Sequence, residues 1–244
     1  MISIVIPCYN EEENINTYEN TLFPIIEEIS QRYNEKFEYI FVNDGSKDNT
    51  LKALSKLAEK HTDVKVVSHD INRGIGAAIK TGISAVSGEY AVFLDSDLTY
   101  RPADISILLD EIEKNPNIDC VSASPYSNNE NVENVSMIRL LPSKTVNCIY
   151  RVLLSTKLTC FSGIFRIYKS NVLKSINIES NNFDVCAEII SKLIIKGYTI
   201  TEVAVTLHNR EYGESKLNIY REILNNIRLF SKIIRVKYIH LTWN

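Results

Sequence analysis

The stretch EYAVFLDSDLTYRP, residues 89–102, runs from apolar residues into two aspartates, Asp95 and Asp97, separated only by Ser96. Its first six residues are rich in aromatic and branched side chains and contain no turn residue, so they predict a buried strand that delivers carboxylates at its carboxyl end. Two like charges at close range repel each other, and a strand exit has little structural need for both. A bound cation is the economical explanation. A hard ion such as Mg²⁺ or Mn²⁺ takes oxygen ligands and commonly shares them with phosphates. Read alone, the segment is also compatible with a surface turn of solvated aspartates.

Outward from this stretch, similar short runs recur: ISIVIP (2–7), FEYIFVND (37–44), VKVVSHD (64–70) and IDCVSAS (118–124). Helical patterns separate them. DNTLKALSKLAEK (48–60) sets Leu51, Leu54, Leu57 and Ala58 on one stripe behind an Asp48 or Ser46 cap, and GIGAAIKTGISAV (74–86) is similar with Lys80 on its polar side. A helix over 12–33 contains Pro24, where a kink or break is expected. The alternation predicts βαβ units: an α/β fold with a mostly parallel sheet flanked by helices, in one domain.

In an open parallel sheet, ligands bind beyond the carboxyl ends of the strands. The polar clusters fall there. Strand one exits into Pro7-Cys8-Tyr9-Asn10-Glu11-Glu12, strand two into Asn43-Asp44-Gly45-Ser46, strand three into Asn72-Arg73-Gly74-Ile75-Gly76, and strand four into the Asp95, Asp97 pair. Asp44-Gly45-Ser46 alone is equally a turn with a helix cap. The G-x-G-x-x-G spacing of a dinucleotide site fails at Ile79, although glycines at a helix start let backbone N–H groups approach a phosphate, with Arg73 adding charge. Glu11-Glu12-Glu13 suits a solvated first helical turn, with Glu11 the residue able to reach a ligand.

Composition excludes several classes. With 45% hydrophobic residues, 23% charged residues and a net charge of −3 over 244 residues, the chain is an ordinary globular domain with nothing that points to nucleic acid. The five cysteines are scattered, without a C-x-x-C pair, so neither a disulfide framework nor a zinc site is expected and a reducing cytoplasm fits. Pro7 and the acidic run after MISIVI predict no signal peptide, and no apolar run reaches a membrane span.

Beyond residue 125 the rhythm changes. A polar SNNENVENV (127–135) precedes a helix, MIRLLPSKTVNCIYRVLLS, that Pro142 is expected to interrupt. A strand CFSGIFRIYK (160–169), a helix FDVCAEIISKLIIKG (183–197) closed by Gly197, and a strand YTITEVAVTLHN (198–209) follow. In KLNIYREILNNIRLFSKIIRVKY (216–238), Ile219, Ile223, Ile227, Phe230 and Ile234 recur at helical spacing among Arg221, Arg228, Lys232, Arg235 and Lys237. This tail is either an interfacial amphipathic helix, making peripheral contact with the cytoplasmic membrane face, or a helix docked on its own domain with a basic outer face.

Together these segments resemble the GT-A (Rossmann-like) fold of inverting family 2 glycosyltransferases over about residues 1–220. ISIVIPCYNEEENI, FVNDGSKDNT, NRGIGAAIKTG and GEYAVFLDSDLTYRPADI occur in the family's order. The resemblance implies a nucleotide-sugar half (1–124) and an acceptor half (125–215) of one domain, 1–215, followed by the basic helix of 216–244. It implies a nucleotide-sugar site from Pro7, Tyr9, Asn10, Glu11, Asp44, Arg73, Gly76, Lys80 and Asp95, with Asp97 on a Mg²⁺ or Mn²⁺ ion that Asp95 supports.

Within the family the chain is most similar to the dolichol-phosphate mannosyltransferase and polyprenyl-phosphate hexosyltransferase group. FSGIFRIYK (161–169), FDVCAEII (183–190) and HNREYGESKL (208–217) carry this, the last matching R-x-x-G-x-S-K-L with Arg210, Gly213, Ser215 and Lys216. The implied reaction moves mannose or glucose, from GDP-mannose or UDP-glucose, to a lipid phosphate, with Asp95, Asp97 and Arg210 catalytic. Arg139, Ser162, Arg210 and Lys216 would contact the acceptor phosphate. Two positions depart from the group: Thr99 stands where Gln is often a further metal ligand, and Thr159-Cys160-Phe161 lacks the usual aspartate. A hydroxyl acceptor would instead need a base, for which Asp184 or Glu188 is the candidate. A non-catalytic nucleotide-sugar-binding scaffold is the reading from another class. A nucleotidyltransferase would show a Gly-rich, Lys-containing loop after strand one, which PCYNEEENI is not.

Overall fold

Alternation in the first two strands decides the layering. In β1 (Ile2–Cys8), Ile2, Ile4 and Ile6 join one hydrophobic cluster while Val5 joins the other. In β2 (Phe37–Asp44), Phe37, Tyr39 and Phe41 separate in the same way from Ile40 and Val42. A central strand with both faces apolar must be covered on both sides. The computed structural model, which describes residues 1–127, 137–210, 219–239 and 243, with no side chains at 137–144 and 219–220, has that architecture.

Along the chain come α1 (Glu12–Ile15), α2 (Tyr18–Thr21), α3 (Phe23–Tyr33), α4 (Thr50–Lys60), β3 (Val64–His69), α5 (Ile75–Ala85) and β4 (Tyr90–Phe93). A short 3-10 turn leads to α6 (Ile105–Lys114), β5 (Cys120–Ser124), α7 (Met137–Leu154), β6 (Arg166–Lys169), α8 (Ser170–Lys174), α9 (Val185–Ile195), β7 (Ile200–Ala204) and α10 (Ile219–Ile239). The sheet order is β3-β2-β1-β4-β6-β5-β7. All pairings are parallel except those of β6, which lies antiparallel between β4 and β5. Buried residues of α3, α4 and α6 cover one face, and those of α5 and α9 cover the other.

Several boundaries differ from expectation for identifiable reasons. The helix expected over 12–33 is three helices, and Pro24 lies in the first turn of α3, where its missing N–H has no helical partner to lose. α7 runs continuously through Pro142, which forfeits one hydrogen bond to the carbonyl four residues back. The strand expected from residue 160 begins only at Arg166. Upstream of it, the Cys160 and Phe161 carbonyls turn toward the Arg166 guanidinium, at 2.9 and 3.0 Å, rather than into a ladder.

α5 lies close against the sheet because Gly82 has no side chain: a Cβ there would meet Val5 Cγ1 at 2.3 Å. That approach brings the start of α5 to the carboxyl ends of β1 and β2. α10 is docked on the domain, with Leu229 and Ile233 buried and Phe230 edge-on to Tyr150 at 4.7 Å. Each buried aliphatic side chain contributes about 1.5–3 kcal/mol, enough to hold the helix in place. No helix among the described residues is long and apolar enough to cross a membrane.

Candidate active site

Strands β1 to β4 run parallel, so their carboxyl ends share one edge of the sheet. A cavity of about 310 Å³ opens there, and Pro7, Tyr9, Glu11, Asp44, Asp95, Asp97 and Arg210 all line it. These residues come from the first, second and fourth strand exits and from a segment more than a hundred residues later.

The Asp95–Thr99 loop is tightly held. The Tyr18 hydroxyl donates to the Ser96 carbonyl at 2.6 Å, and the Leu98 N–H donates to the Asp95 carbonyl at 3.1 Å. Leu98 adopts φ +51°, a left-handed conformation costly for a branched side chain and characteristic of functional turns. Asp97 Oδ1 accepts the Thr99 N–H at 3.1 Å, and its Oδ2 lies 2.5 Å from the Arg210 guanidinium. Thr99 thus orients Asp97 through its backbone. Its carbonyl accepts the His208 N–H at 2.9 Å, which pins the segment leading to Arg210 beside the aspartates.

Burial pushes the Asp95 carboxyl up to about 7. The neighbouring Asp97 charge and, more weakly, Glu11 add to the rise, and Arg210 offsets part of it. Two carboxylates share a site that the protein alone does not neutralise completely. Among the described residues no group of three or more His, Cys, Asp or Glu forms a metal cage. Two adjacent all-oxygen donors fit a hard divalent ion that takes its remaining ligands from a diphosphate and water.

Asp44 is held from three sides. Its Oδ1 meets His69 Nδ1 at 2.6 Å and accepts the Arg73 N–H at 2.9 Å, while Oδ2 accepts the Gly74 N–H at 2.8 Å. Asp44 and His69 are register partners on adjacent parallel strands, which is why their side chains meet. His69 Nε2 in turn contacts Thr81 Oγ1 at 2.8 Å. Gly74 takes φ +94°, and a Cβ there would lie 2.2 Å from the Asn181 carbonyl, so the turn and the close approach both require glycine.

Other expected residues sit one step back from the cavity. Asn10, at φ +53°, donates its N–H to Ser46 Oγ at 3.0 Å and accepts the Lys47 N–H on its side chain at 2.7 Å, which fastens two strand exits together. The Gly76 N–H donates to the Asn181 carbonyl at 3.0 Å, and Lys80 Nζ reaches Asn181 Oδ1 at 2.6 Å. Both hold the loop that carries Asn182 and Phe183 into the cavity wall. The backbone donors of Arg73, Gly74 and Gly76 are therefore engaged by protein acceptors. Arg73 and Ser162 are exposed and do not line the cavity. Lys216 and the Arg139 side chain lie outside the described residues.

Asp184 and Glu188 are not cavity residues either. Glu188 accepts the Glu179 and Ser180 N–H groups at 2.9 and 2.8 Å and pairs with Lys192 at 2.9 Å, while Asp184 accepts the Ser180 hydroxyl at 2.5 Å.

Sequence reasoning missed four contributors. His69 was legible only as a strand residue, although its place at a strand exit beside Asp44 was a usable signal. Arg221 and Glu222, at the start of α10, complete the cavity wall. Arg166 is fully buried and donates to Ser122 Oγ and to the carbonyls of Cys160, Phe161 and Cys186. It braces the loop that bears Ser162, whose other side is fixed by Glu202 accepting the Thr159 and Cys160 N–H groups.

Comparison with known proteins identifies the family and the fold. Residues 3–176 match the family model for glycosyl transferase family 2. The chain is 31% identical over 176 residues to poly-beta-1,6-N-acetyl-D-glucosamine synthase of Staphylococcus epidermidis, covering 72% of this chain and 41% of that protein. It is 26% identical over 241 residues to dodecaprenyl-phosphate galacturonate synthase of Rhizobium johnstonii, covering 97% of this chain and 68% of that protein. The chain therefore spans about two fifths of the first relative's length. Among solved structures, glucosyl-3-phosphoglycerate synthase from Mycobacterium tuberculosis with UDP superposes at a TM-score of 0.69 and 17% identity, over 96% of this chain and 79% of that one. The same enzyme with Mn²⁺, UDP and phosphoglyceric acid gives 0.68 and 18%, over 96% and 77%. These likenesses match the GT-A arrangement of sheet and helices, and the motifs at the strand exits, within the matched span, mark the chain as a member of glycosyl transferase family 2.

Proposed function

We propose that the protein transfers a hexose from a nucleotide sugar to a polyprenyl phosphate with inversion at the anomeric carbon. The observation that carries this is the cavity in which Asp95 and Asp97 face Arg210, a site built to hold negative charge on both sides of a transfer. Asp95 and Asp97 would hold a Mg²⁺ or Mn²⁺ ion, which, when bound, offsets charge on the leaving diphosphate. Pro7, Tyr9, Glu11 and Asp44 line the part of the cavity where the nucleoside would lie, with Asp44 kept rigid by His69. Arg210 is the cation able to draw the acceptor phosphate toward the donor. A phosphate monoester is already ionised near neutral pH, so its oxygen attacks without a protein base. Mannose from GDP-mannose and glucose from UDP-glucose are the first donors to test, and the galacturonate synthase relative adds a uronic acid donor.

The N-acetylglucosamine polymer synthase relative favours a second reading, transfer to a sugar hydroxyl. That chemistry needs a base. Asp184 and Glu188 are engaged elsewhere, so a carboxylate of the cavity wall, Glu222 or Asp95, both raised above the ordinary range by burial, would have to serve. A donor-by-acceptor screen with Mn²⁺ tests both readings. Transfer to polyprenyl phosphate that is lost in Asp97→Ala is expected, whereas transfer only to oligosaccharide hydroxyls would replace the first reading with the second. Donor binding with no transfer to any acceptor would support a scaffold.

A further inference from the structure

α10 carries three stripes, and docking uses only one of them. Leu229 and Ile233 face the domain. Ile223, Ile227, Ile234 and Tyr238 remain 47%, 55%, 41% and 55% exposed. At about 100° per residue these four fall within an arc of roughly 60° on the side away from the buried pair. Arg221, Arg228, Lys232 and Arg235 fall in a neighbouring arc of similar width. A helix docked by one face ordinarily presents a polar remainder. Here much of the outer surface is apolar, and the helix α7 beside it adds Val152, 70% exposed.

We propose that this outer face of α10 rests on an anionic lipid surface. The apolar stripe would enter the boundary between headgroups and acyl chains, and the basic stripe would lie along the headgroup phosphates. Charge selects this occupant. Lys232 pairs with Glu179 at 2.6 Å and Arg221 turns to the cavity, so the exposed Arg228 and Arg235 are the cations left to meet headgroups, a local feature in a chain whose net charge is −3. A second copy of the chain packed antiparallel on the same face about a two-fold axis would bring the basic stripes of the two copies near each other, which disfavours that arrangement. The proposal rests on the polyprenyl-phosphate reading only for its orientation: Arg221 and Glu222 line the cavity, so the first turn of α10 joins the lipid-facing surface to the place where a membrane-borne phosphate would arrive.

The test is flotation of the full chain with vesicles that contain no polyprenyl phosphate. Binding is expected to vesicles of equal parts phosphatidylglycerol and phosphatidylcholine, to weaken in high salt, and to be poor with phosphatidylcholine alone. Ile227→Glu/Ile234→Glu should reduce the bound fraction about tenfold, and Arg228→Gln/Arg235→Gln should reduce it by a similar factor on anionic vesicles only. Both variants should transfer sugar to a short-chain acceptor dispersed in detergent at the wild-type rate, which separates the surface from the acceptor reading. Loss of transfer by the wild type with vesicle binding retained would overturn that reading and leave this one standing. Wild type that stays in solution with anionic vesicles, or isoleucine variants that float as well as wild type, would overturn the proposal. So would a concentration-dependent dimer that the isoleucine variant converts to monomer while vesicle binding is absent.

Discussion

The Arg210 guanidinium lies 2.5 Å from the Asp97 carboxylate, across a sequence separation that no local motif spans. The pair links the second-half segment to the loop after β4 and sets a cation against the carboxylates at the cavity wall. Arg210→Ala is expected to lower transfer about 10²- to 10³-fold, the scale found when one preorganised charge-stabilising donor is removed. Arg210→Lys, with one point charge in place of a planar fork, should recover only part of it. Steady-state kinetics check this, with nucleoside diphosphate affinity as the control for folding.

Asp95 makes donor binding depend on pH. With its carboxyl pushed up to about 7, it holds a proton at lower pH and must release it to meet a cation. Affinity for a nucleoside diphosphate with Mn²⁺ should therefore rise as pH increases from 5.5 towards 7 and level off above. Asp95→Asn should flatten this profile and weaken binding at pH 7.5. Calorimetric titration across that range reads both effects.

Removing the buried Arg166 should unfold the β5–β6 side of the sheet before it alters chemistry. Arg166→Met strips donors from Ser122 and from three backbone carbonyls at once. Unsatisfied buried acceptors cost about 1–3 kcal/mol each, with partial relief by relaxation, so a loss of about 3–5 kcal/mol is expected in chemical denaturation. Because the braced loop lies away from β1, nucleotide affinity at low temperature should change much less than stability.

At the opposite end of the strands, Glu38 is a test of acid stability. Burial alone would push its carboxyl up, but hydrogen bonds from Lys65, Ser3 and Ser87 outweigh that and hold it at about 2, below its ordinary 4.5. A depressed folded pKa contributes stability that is fully present above about 4.5 and is lost as pH falls through about 2. Glu38→Gln should therefore cost about 2 kcal/mol at pH 7, with the gap to wild type closing as pH falls across that window. Denaturation curves at several pH values give the comparison.

The sheet's parallel half was legible because each strand is a compact apolar run ending in a polar cluster, and burial on both faces leaves such runs little freedom to be anything else. Its boundaries were less so. β6 starts late because Arg166 draws upstream carbonyls out of the ladder, a contact invisible without the third dimension. The cavity's acidic residues could be named from their strand exits, since chain order places them at one sheet edge.

Chain order alone sets carboxylates, a tyrosine and glycines at the exits of consecutive parallel strands, in an order shared with a family. Packing in three dimensions selects which of them reach the cavity. Asn10, Gly76 and Lys80 turned out to fasten loops, because their hydrogen-bonding groups find protein partners before they reach open space. Arg221 and Glu222 joined the cavity wall and His69 came to brace Asp44 from behind it, because helix docking and strand register bring together residues whose separation along the chain says nothing of their distance.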